Sequence, residues 1–344
     1  MDSHLYKTLT RKRSIWLDMD RLYGISSGDN VEEEERTRRY AESSQCYEKH
    51  VQLFKEKARQ CRQSSVQIMF APVSVGICPF LEEIILELVS HSTSLDDLSF
   101  WYHCAEVEPQ TEFEDKVLDA VCSNTQISLK RLDISSLVHF EPGSPRTVLL
   151  QKLQDFQFFP SSPQSFSHGS CAAWEEAMAA GNCLKRLQLY SDFENTDDER
   201  VKAFCETMKR SLPHMADLEA LKCDLSAYPN LRETVIDRMP SLKHVGISGR
   251  NVAFDLASMS LPKQSLHLGR GVCLEGTIPT SSTVTTKYMR LDTVLSKEAF
   301  LSLANLKHLD RLEVNAVQNN ATVVQLLKAS DSITDYDTWI ETDL

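Results

Sequence analysis

Apolar residues recur along this chain as triplets at relative positions one, four and six. The stretch PSLKHVGIS, residues 240–248, carries one at Leu242, Val245 and Ile247. The same pattern returns at Leu95/Leu98/Phe100, Leu129/Leu132/Ile134, Leu184/Leu187/Leu189, Leu218/Leu221/Cys223 and Leu309/Leu312/Val314. Two thinner copies, Leu266/Leu268 and Met289/Leu291, keep the last two positions. Between middle positions the steps are 34 residues from Leu98 to Leu132, 55 to Leu187 and 34 to Leu221. They then shorten to 24, 21, 23 and 23 on the way to Val245, Leu266, Met289 and Leu312.

Such a triplet fits a short strand that turns alternate residues inward and hides them only when the next unit stacks on it. Inward positions must stay apolar, while the residues between them are free to vary. The longer steps leave room for a helix on the return path. Phe80, Leu81, Ile84, Ile85 and Leu88 form one helical stripe, and Phe113, Val117, Leu118 and Val121 another. Trp174 and Met178 before Gly181, and Val201, Phe204, Cys205 and Met208, read the same way. Later returns, such as 231–239 and 300–306, have length for only a turn or two.

Two earlier strands are expected at SIWLDMD, with Ile15, Leu17 and Met19 inward, and at SVQIMFA, with Val66, Ile68 and Phe70 inward. Between them Tyr47, Val51, Phe54, Ala58 and Cys61 lie at helical spacing after an acidic run suited to a helix N-terminus. Residues 139–170 carry four prolines and many serines around an apolar island at 148–159. A degenerate unit is expected over that island, and a flexible loop at 160–170. The expected organisation is a tail at 1–13, one repeat domain at 14–316 with an irregular region near 139–170, and a C-terminal helix with an acidic cap at 317–344. Trp339 and Ile340 are candidates to cover the open end.

The triplet and its 20–29-residue steps match the L-x-x-L-x-L core of the leucine-rich repeat. The expected fold is therefore an α/β leucine-rich-repeat solenoid, a horseshoe with a parallel concave sheet and outer helices or turns. Over roughly residues 14–316 the pattern resembles the leucine-rich-repeat half of F-box substrate receptors, particularly the divergent fungal type whose arrays open with strands of SIWLDMD character. In that family a small helical F-box precedes the repeats and binds the ubiquitin-ligase adaptor. The thirteen residues before Ser14 are too few to build one. The resemblance implies partner binding, and as an alternative a substrate-recognition subunit of an SCF-type ubiquitin ligase with a lost or degenerate F-box.

Composition narrows the chemistry. A formal net charge of −12 argues against a nucleic-acid partner, because phosphate backbones demand a clustered positive field. No apolar run reaches the roughly 18 residues of a membrane-spanning helix, and MDSHLYKTLTRKRS lacks the apolar segment of a secretory signal. A cytoplasmic or nuclear protein with no membrane partner is expected. The ten cysteines are dispersed without a CxxC pair, so they are expected to be thiols, mostly small buried hydrophobes.

Gly246-Ile247-Ser248-Gly249 has the wrong spacing for a nucleophile elbow, and Gly269, Gly271 and Gly276 lack the helix that a phosphate cradle needs. His103-Cys104 and Ser167-His168-Gly169-Ser170-Cys171 bring a base and nucleophile together only in sequence. Neither catalysis, nor a metal, nor a cofactor is expected.

Residues flanking the inward positions would then form the exposed face. One row reads Trp16, Asp97, Arg131, Arg186, Ala220, His244, Ser265, Tyr288 and Arg311. The next reads Asp18, Ser99, Asp133, Gln188, Lys222, Gly246, His267, Arg290 and Glu313, and a third includes Trp101, Tyr190 and Asp292. Trp, Tyr and Arg dominate binding hot spots. The candidate partner-binding residues are Trp101, Arg131, Arg186, Tyr190, Lys222, His244, His267, Tyr288, Arg290 and Arg311, with Trp101, Arg131, Arg186 and Tyr190 expected as neighbours. The cations point to a protein or peptide partner that is acidic or phosphorylated.

Overall fold

The computed structural model describes residues 14–18, 33–61, 64–70, 77–102, 111–160, 162–190, 197–226, 241–249, 252–255, 263–269, 271–281, 285–292, 295–314 and 320–338, with Leu9, Leu22, Tyr23 and Met239. The fold is α/β, with every strand pair among these residues parallel. Two compact units divide the span expected as one array, residues 1–184 and 185–344.

In the first unit, strands β1 (Ser14–Asp18), β2 (Ser65–Phe70), β3 (Asp97–Tyr102), β4 (Arg131–Ile134) and β5 (Asp155–Phe158) pair in chain order. The register carries Ile15 to Val66, Leu98, Leu132 and Phe156, so one apolar residue from each strand forms a continuous rung. All five are buried. Each buried side chain of this size stabilises by about 1.5–3 kcal/mol, which fixes the register against a slip that would turn the set to water.

Helices fill the returns: α1 (Glu33–Gln60), α2 (Pro79–Ser90), α3 (Thr111–Ser123), α4 (Pro145–Lys152) and α5 (His168–Ala179). They cover the rung face, since Phe100 meets Phe113 of α3 edge-on at 6.3 Å and Phe156 meets Trp174 of α5 at 5.4 Å. Adjacent helices are tied by Arg59–Glu87 (2.5 Å) from α1 to α2, and by Lys116–Glu82 (2.8 Å) from α3 to α2. Asn124, just past α3, donates from Nδ2 to the carbonyls of Val89, Ser90 and Ser92, satisfying groups that the end of α2 leaves open.

The irregular region is a full unit, as expected over 148–159. Ser144 caps α4 and Pro145 opens it, which converts a proline-rich stretch into a helix start. The expected loop at 160–170 has regular structure where described, and α5 begins within it at His168. It contains a 3-10 turn at 163–165 and the buried Phe166, whose ring meets Phe158 at 5.2 Å.

In the second unit, β6 (Arg186–Leu189), β7 (Ala220–Asp224), β8 (His244–Ser248), β10 (Lys263–Leu268), β12 (Thr286–Leu291), β13 (Arg311–Val314) and β14 (Asp335–Thr338) pair in that order. Leu187, Leu221, Val245, Leu266, Met289 and Leu312 stand side by side across the first six strands. These are the middle positions of the sequence triplets. Helix α6 (Glu199–Ser211) follows β6, whereas the shorter steps after β8 and β10 hold β9 (Val252–Asp255) and β11 (Val272–Glu275), which pair with each other. Helices α7 (Lys297–Ser302) and α8 (Asn320–Ala329) occupy the last returns.

β14 takes the strand ladder past the expected boundary at residue 316. Tyr336 sits opposite Leu312 in a strand too polar for the leucine pattern to reveal it. Trp339 and Ile340 lie outside the described residues, as does Met19. No described helix is long and apolar enough to cross a membrane.

Candidate functional site

The strand residues between the rungs line a polar face in each unit. In the first unit its rows are Ser65, Asp97, Arg131, Asp155 and Gln67, Ser99, Asp133, Gln157. The expected placement of Trp16 beside Asp97 and of Asp18 beside Ser99 is therefore corrected. Ile15 rather than Leu17 is the rung partner of Val66, which moves Trp16 opposite Gln67 and Asp18 opposite Met69.

The charges on this face satisfy one another. Arg131 donates from its Nη2 to Asp133 Oδ2 at 2.9 Å and lies 4.0 Å from Asp97, while Ser99 donates to the same Asp133 oxygen at 2.8 Å. Burial pushes the Asp133 carboxyl above its ordinary value, and Arg131 and Ser99 offset only part of that. Arg131 is thus committed within its own sheet. Trp101 belongs to β3, but its side chain lies outside the described residues.

The second unit presents a different surface. A hollow of about 390 Å³ opens over β6, β7, β8, β10 and β12, lined among others by Arg186, Lys222, His244, His267, Tyr288 and Arg290. Six of the ten candidate residues thus meet around one depression. Its floor exists because Ala220, Gly246 and Ser265, also in the lining, are short. A Cβ on Gly246 would come within 2.7 Å of Lys222 Cγ, so the lysine stem lies across the strand that this glycine leaves bare.

Two of the lining side chains are oriented by one acid. Asp292 accepts from His267 Nε2 at 2.7 Å and from Arg290 Nε at 3.0 Å. His244 Nδ1 and Ser265 Oγ are 2.8 Å apart. Tyr288 donates to Glu313 at 2.7 Å; burial first, then this acceptor and its charge, push the phenol up to about 12. Lys222 makes no ion pair with any described residue, and its side chain is exposed.

Arg311 and Tyr190 stand apart from the hollow. Arg311 pairs with Glu313 at 2.6 Å and lies 5.7 Å over the Tyr288 ring, and Tyr190 donates to Gln188 at 2.9 Å with its phenol pushed up by burial.

The motifs weighed for chemistry have structural roles where they are described. Ser167 and Ser170 exchange hydrogen bonds as the capping box that starts α5. Gly271 and Gly276 adopt φ of +74° and +73°, a left-handed turn geometry that suits glycine. His103 and Cys104 lie outside the described residues. Among the described residues no group of His, Cys, Asp and Glu could hold a metal ion. The nine cysteines among the described residues are free thiols, with burial raising the thiol pKa of Cys223 and Cys122.

Sequence reasoning missed Gln67, Asp155 and Gln157 on the polar face of the first unit. β5 was findable, because Leu153/Phe156/Phe158 is the same triplet written with aromatic residues, and Phe156 divides the 55-residue step into 24 and 31. Asp335 and Asp337 of β14, two strands beyond β12, required the strand that the leucine pattern does not show.

No protein-family model matches this chain, and no curated protein sequence matches it.

Proposed function

We propose that this protein is a leucine-rich-repeat binding module that takes an anionic protein segment on the polar face of its second unit and performs no catalysis on it. The rungs support the fold reading: triplets at 20–29-residue steps stand in register as parallel strands, which is how repeats of this class hide their apolar edges. The observation that carries the binding reading is the hollow. Arg186 and Lys222 bring permanent positive charge around a floor of short side chains, and Arg290, held at the rim through its Nε by Asp292, adds guanidinium donors, in a chain whose net charge is −12. Local positive potential on an acidic protein steers anionic partners and gains strength from charge-assisted hydrogen bonds. Arg131, committed to Asp133, has no part in it.

The test is binding of fluorescent acidic and phosphorylated peptide pools to the full chain, with and without Lys222→Ala and Arg290→Ala together. Anisotropy that rises for the unaltered protein and drops at least ten-fold in apparent affinity for the double variant supports this reading. Equal binding by both proteins removes it.

A further inference from the structure

We infer that the hollow accepts one isolated phosphate monoester, carried on a segment of a partner protein, and rejects a continuous run of negative charge. The inference deepens the proposed function and depends on that reading of the second unit.

Donors around the floor arrive from opposite sides. Arg186 and Lys222 come from β6 and β7, and Arg290 comes from β12, with β8 and β10 between them. With parallel strands about 4.8 Å apart, Lys222 and Arg290 start roughly 14 Å from each other and border the same depression. A carboxylate offers two oxygens in one plane and one charge. A phosphate monoester offers three oxygens spread around phosphorus and a charge of about −1.5 to −2 near neutrality, which suits cations converging from two directions. The floor adds the hydrogen-bonded pair of Ser265 Oγ and the His244 ring, which keeps a donor for a ligand beyond the one shared between them. A volume of about 390 Å³ exceeds what one phosphate group fills, leaving room for the side chain and backbone that carry it.

The same register limits how far negative charge can extend. The row through Lys222, Gly246, His267 and Arg290 continues into Glu313 on β13 and Asp337 on β14, and the row beside it runs from Tyr288 through Arg311 to Asp335, with Arg311 pairing with Glu313 at 2.6 Å and with Asp335 at 3.4 Å. A second anion beyond β12 meets three carboxylates, Glu313, Asp335 and Asp337, against the single guanidinium of Arg311, and this net negative charge repels it.

The inference is tested by anisotropy on the full chain with fluorescent twelve-residue peptides of neutral flanking sequence. Their central residue is phosphoserine, glutamate or serine, and a fourth peptide has phosphoserine followed by a run of glutamates. Inorganic phosphate and glycerol phosphate serve as competitors. The expected result is phosphoserine binding at least ten-fold tighter than glutamate, and weaker binding of the glutamate-extended peptide. The expected competitors act only at concentrations well above the peptide Kd. Gly246→Ala, which keeps every charge but displaces the Lys222 stem, is expected to lower phosphopeptide affinity several-fold while circular dichroism stays unchanged. Lys222→Ala with Arg290→Ala, two side chains on the rim, is expected to abolish the phosphate preference.

Equal affinity for glutamate and phosphoserine overturns the inference while leaving an acid-binding surface intact. Competition by glycerol phosphate at the peptide's own affinity overturns it in favour of a small-molecule site. Tighter binding of the glutamate-extended peptide overturns the limit to one anion, and no binding of any peptide overturns both the inference and the function it deepens.

Discussion

On the first unit's polar face, Ser99, Asp133 and Gln157 have relative exposures of 0%, 0% and 5%, although they lie between the rungs rather than on them. In the corresponding row of the second unit Lys222 is exposed, and Gln188, His267, Arg290 and Glu313 are half-buried. Both faces come from the same alternation of strand residues. They differ in what the polar side chains do for one another: in the first unit Arg131, Asp133 and Ser99 form a closed set, and in the second Lys222 makes no ion pair with a described residue. A polar row can be buried when its members satisfy each other, whereas a row holding a cation such as Lys222, with no acidic partner among the described residues, stays open to solvent. The first arrangement stabilises a sheet, and the second leaves charge available to a partner.

The rungs should not share this difference, and that supplies the largest predicted effect. Leu132 and Leu187 are both fully buried middle positions. Leu132→Ala and Leu187→Ala are each expected to cost about 2–5 kcal/mol, read from urea unfolding followed by circular dichroism. A cost below 1 kcal/mol at either position would break the equivalence of the two ladders.

The polar row comes next in size. Asp133→Ala removes the acceptor for Arg131 and Ser99 and is expected to cost about 1–3 kcal/mol, the range for a buried group stripped of its partner. Asp133→Asn should recover most of that loss, because burial already works against the carboxylate charge and the amide oxygen still accepts. If the two variants unfold alike, the charge matters more than the hydrogen bonds, and the account of the closed face needs revision.

A second buried set in the first unit gives a smaller, pH-dependent effect. His139 Nε2 donates to the buried Glu114 at 2.7 Å and Nδ1 lies 2.9 Å from Asp115, which also pairs with Arg146. Burial alone would lower the imidazole pKa, but the two carboxylates more than reverse this and raise it. The charged ring is therefore favoured by folding. Its contribution is fully present below about pH 6.5, the ordinary value, and fades as pH rises through the raised folded value. The melting temperature of the unaltered protein should fall as pH rises from 6 towards 9, and His139→Gln should flatten that slope. Parallel curves for the two proteins would show that the histidine does not carry the dependence.

Much of the ladder was legible because an inward strand position has one chemical requirement, to be apolar. Leu98, Leu132, Leu221 and Val245 could be aligned by spacing alone. The failures lie where that requirement was met by other residues: Phe156 hid β5, and Tyr336 hid β14. β1 failed more subtly, because Ile15 and Leu17 both face inward and no leucine ahead of them marks which is the middle position. The candidate face was legible as a list of side chains but not as a site. Spacing put Arg131 and Arg186 in one row; it could not reveal that Arg131 spends its charge on Asp133, two residues away on the same strand. Nor could it show that three short residues on three strands would leave a hollow.

The smallest predicted effect on stability isolates the other half of the comparison. Lys222 is exposed and lies across Gly246, so Lys222→Ala removes a surface charge without opening a cavity. Its unfolding midpoint should stay within about 0.5 kcal/mol of the unaltered protein, the usual range for such surface changes. Loss of one long cation should nonetheless weaken anionic peptide binding about ten-fold, as expected for a charge-assisted contact of roughly 1.5 kcal/mol. Asp133→Ala should behave in the opposite sense, lowering stability while leaving peptide affinity unchanged. That crossed outcome follows only if Asp133 serves the fold and Lys222 does not. A Lys222→Ala protein that unfolds as easily as Asp133→Ala would place the lysine in a structural contact, and the second unit's face would then be closed like the first.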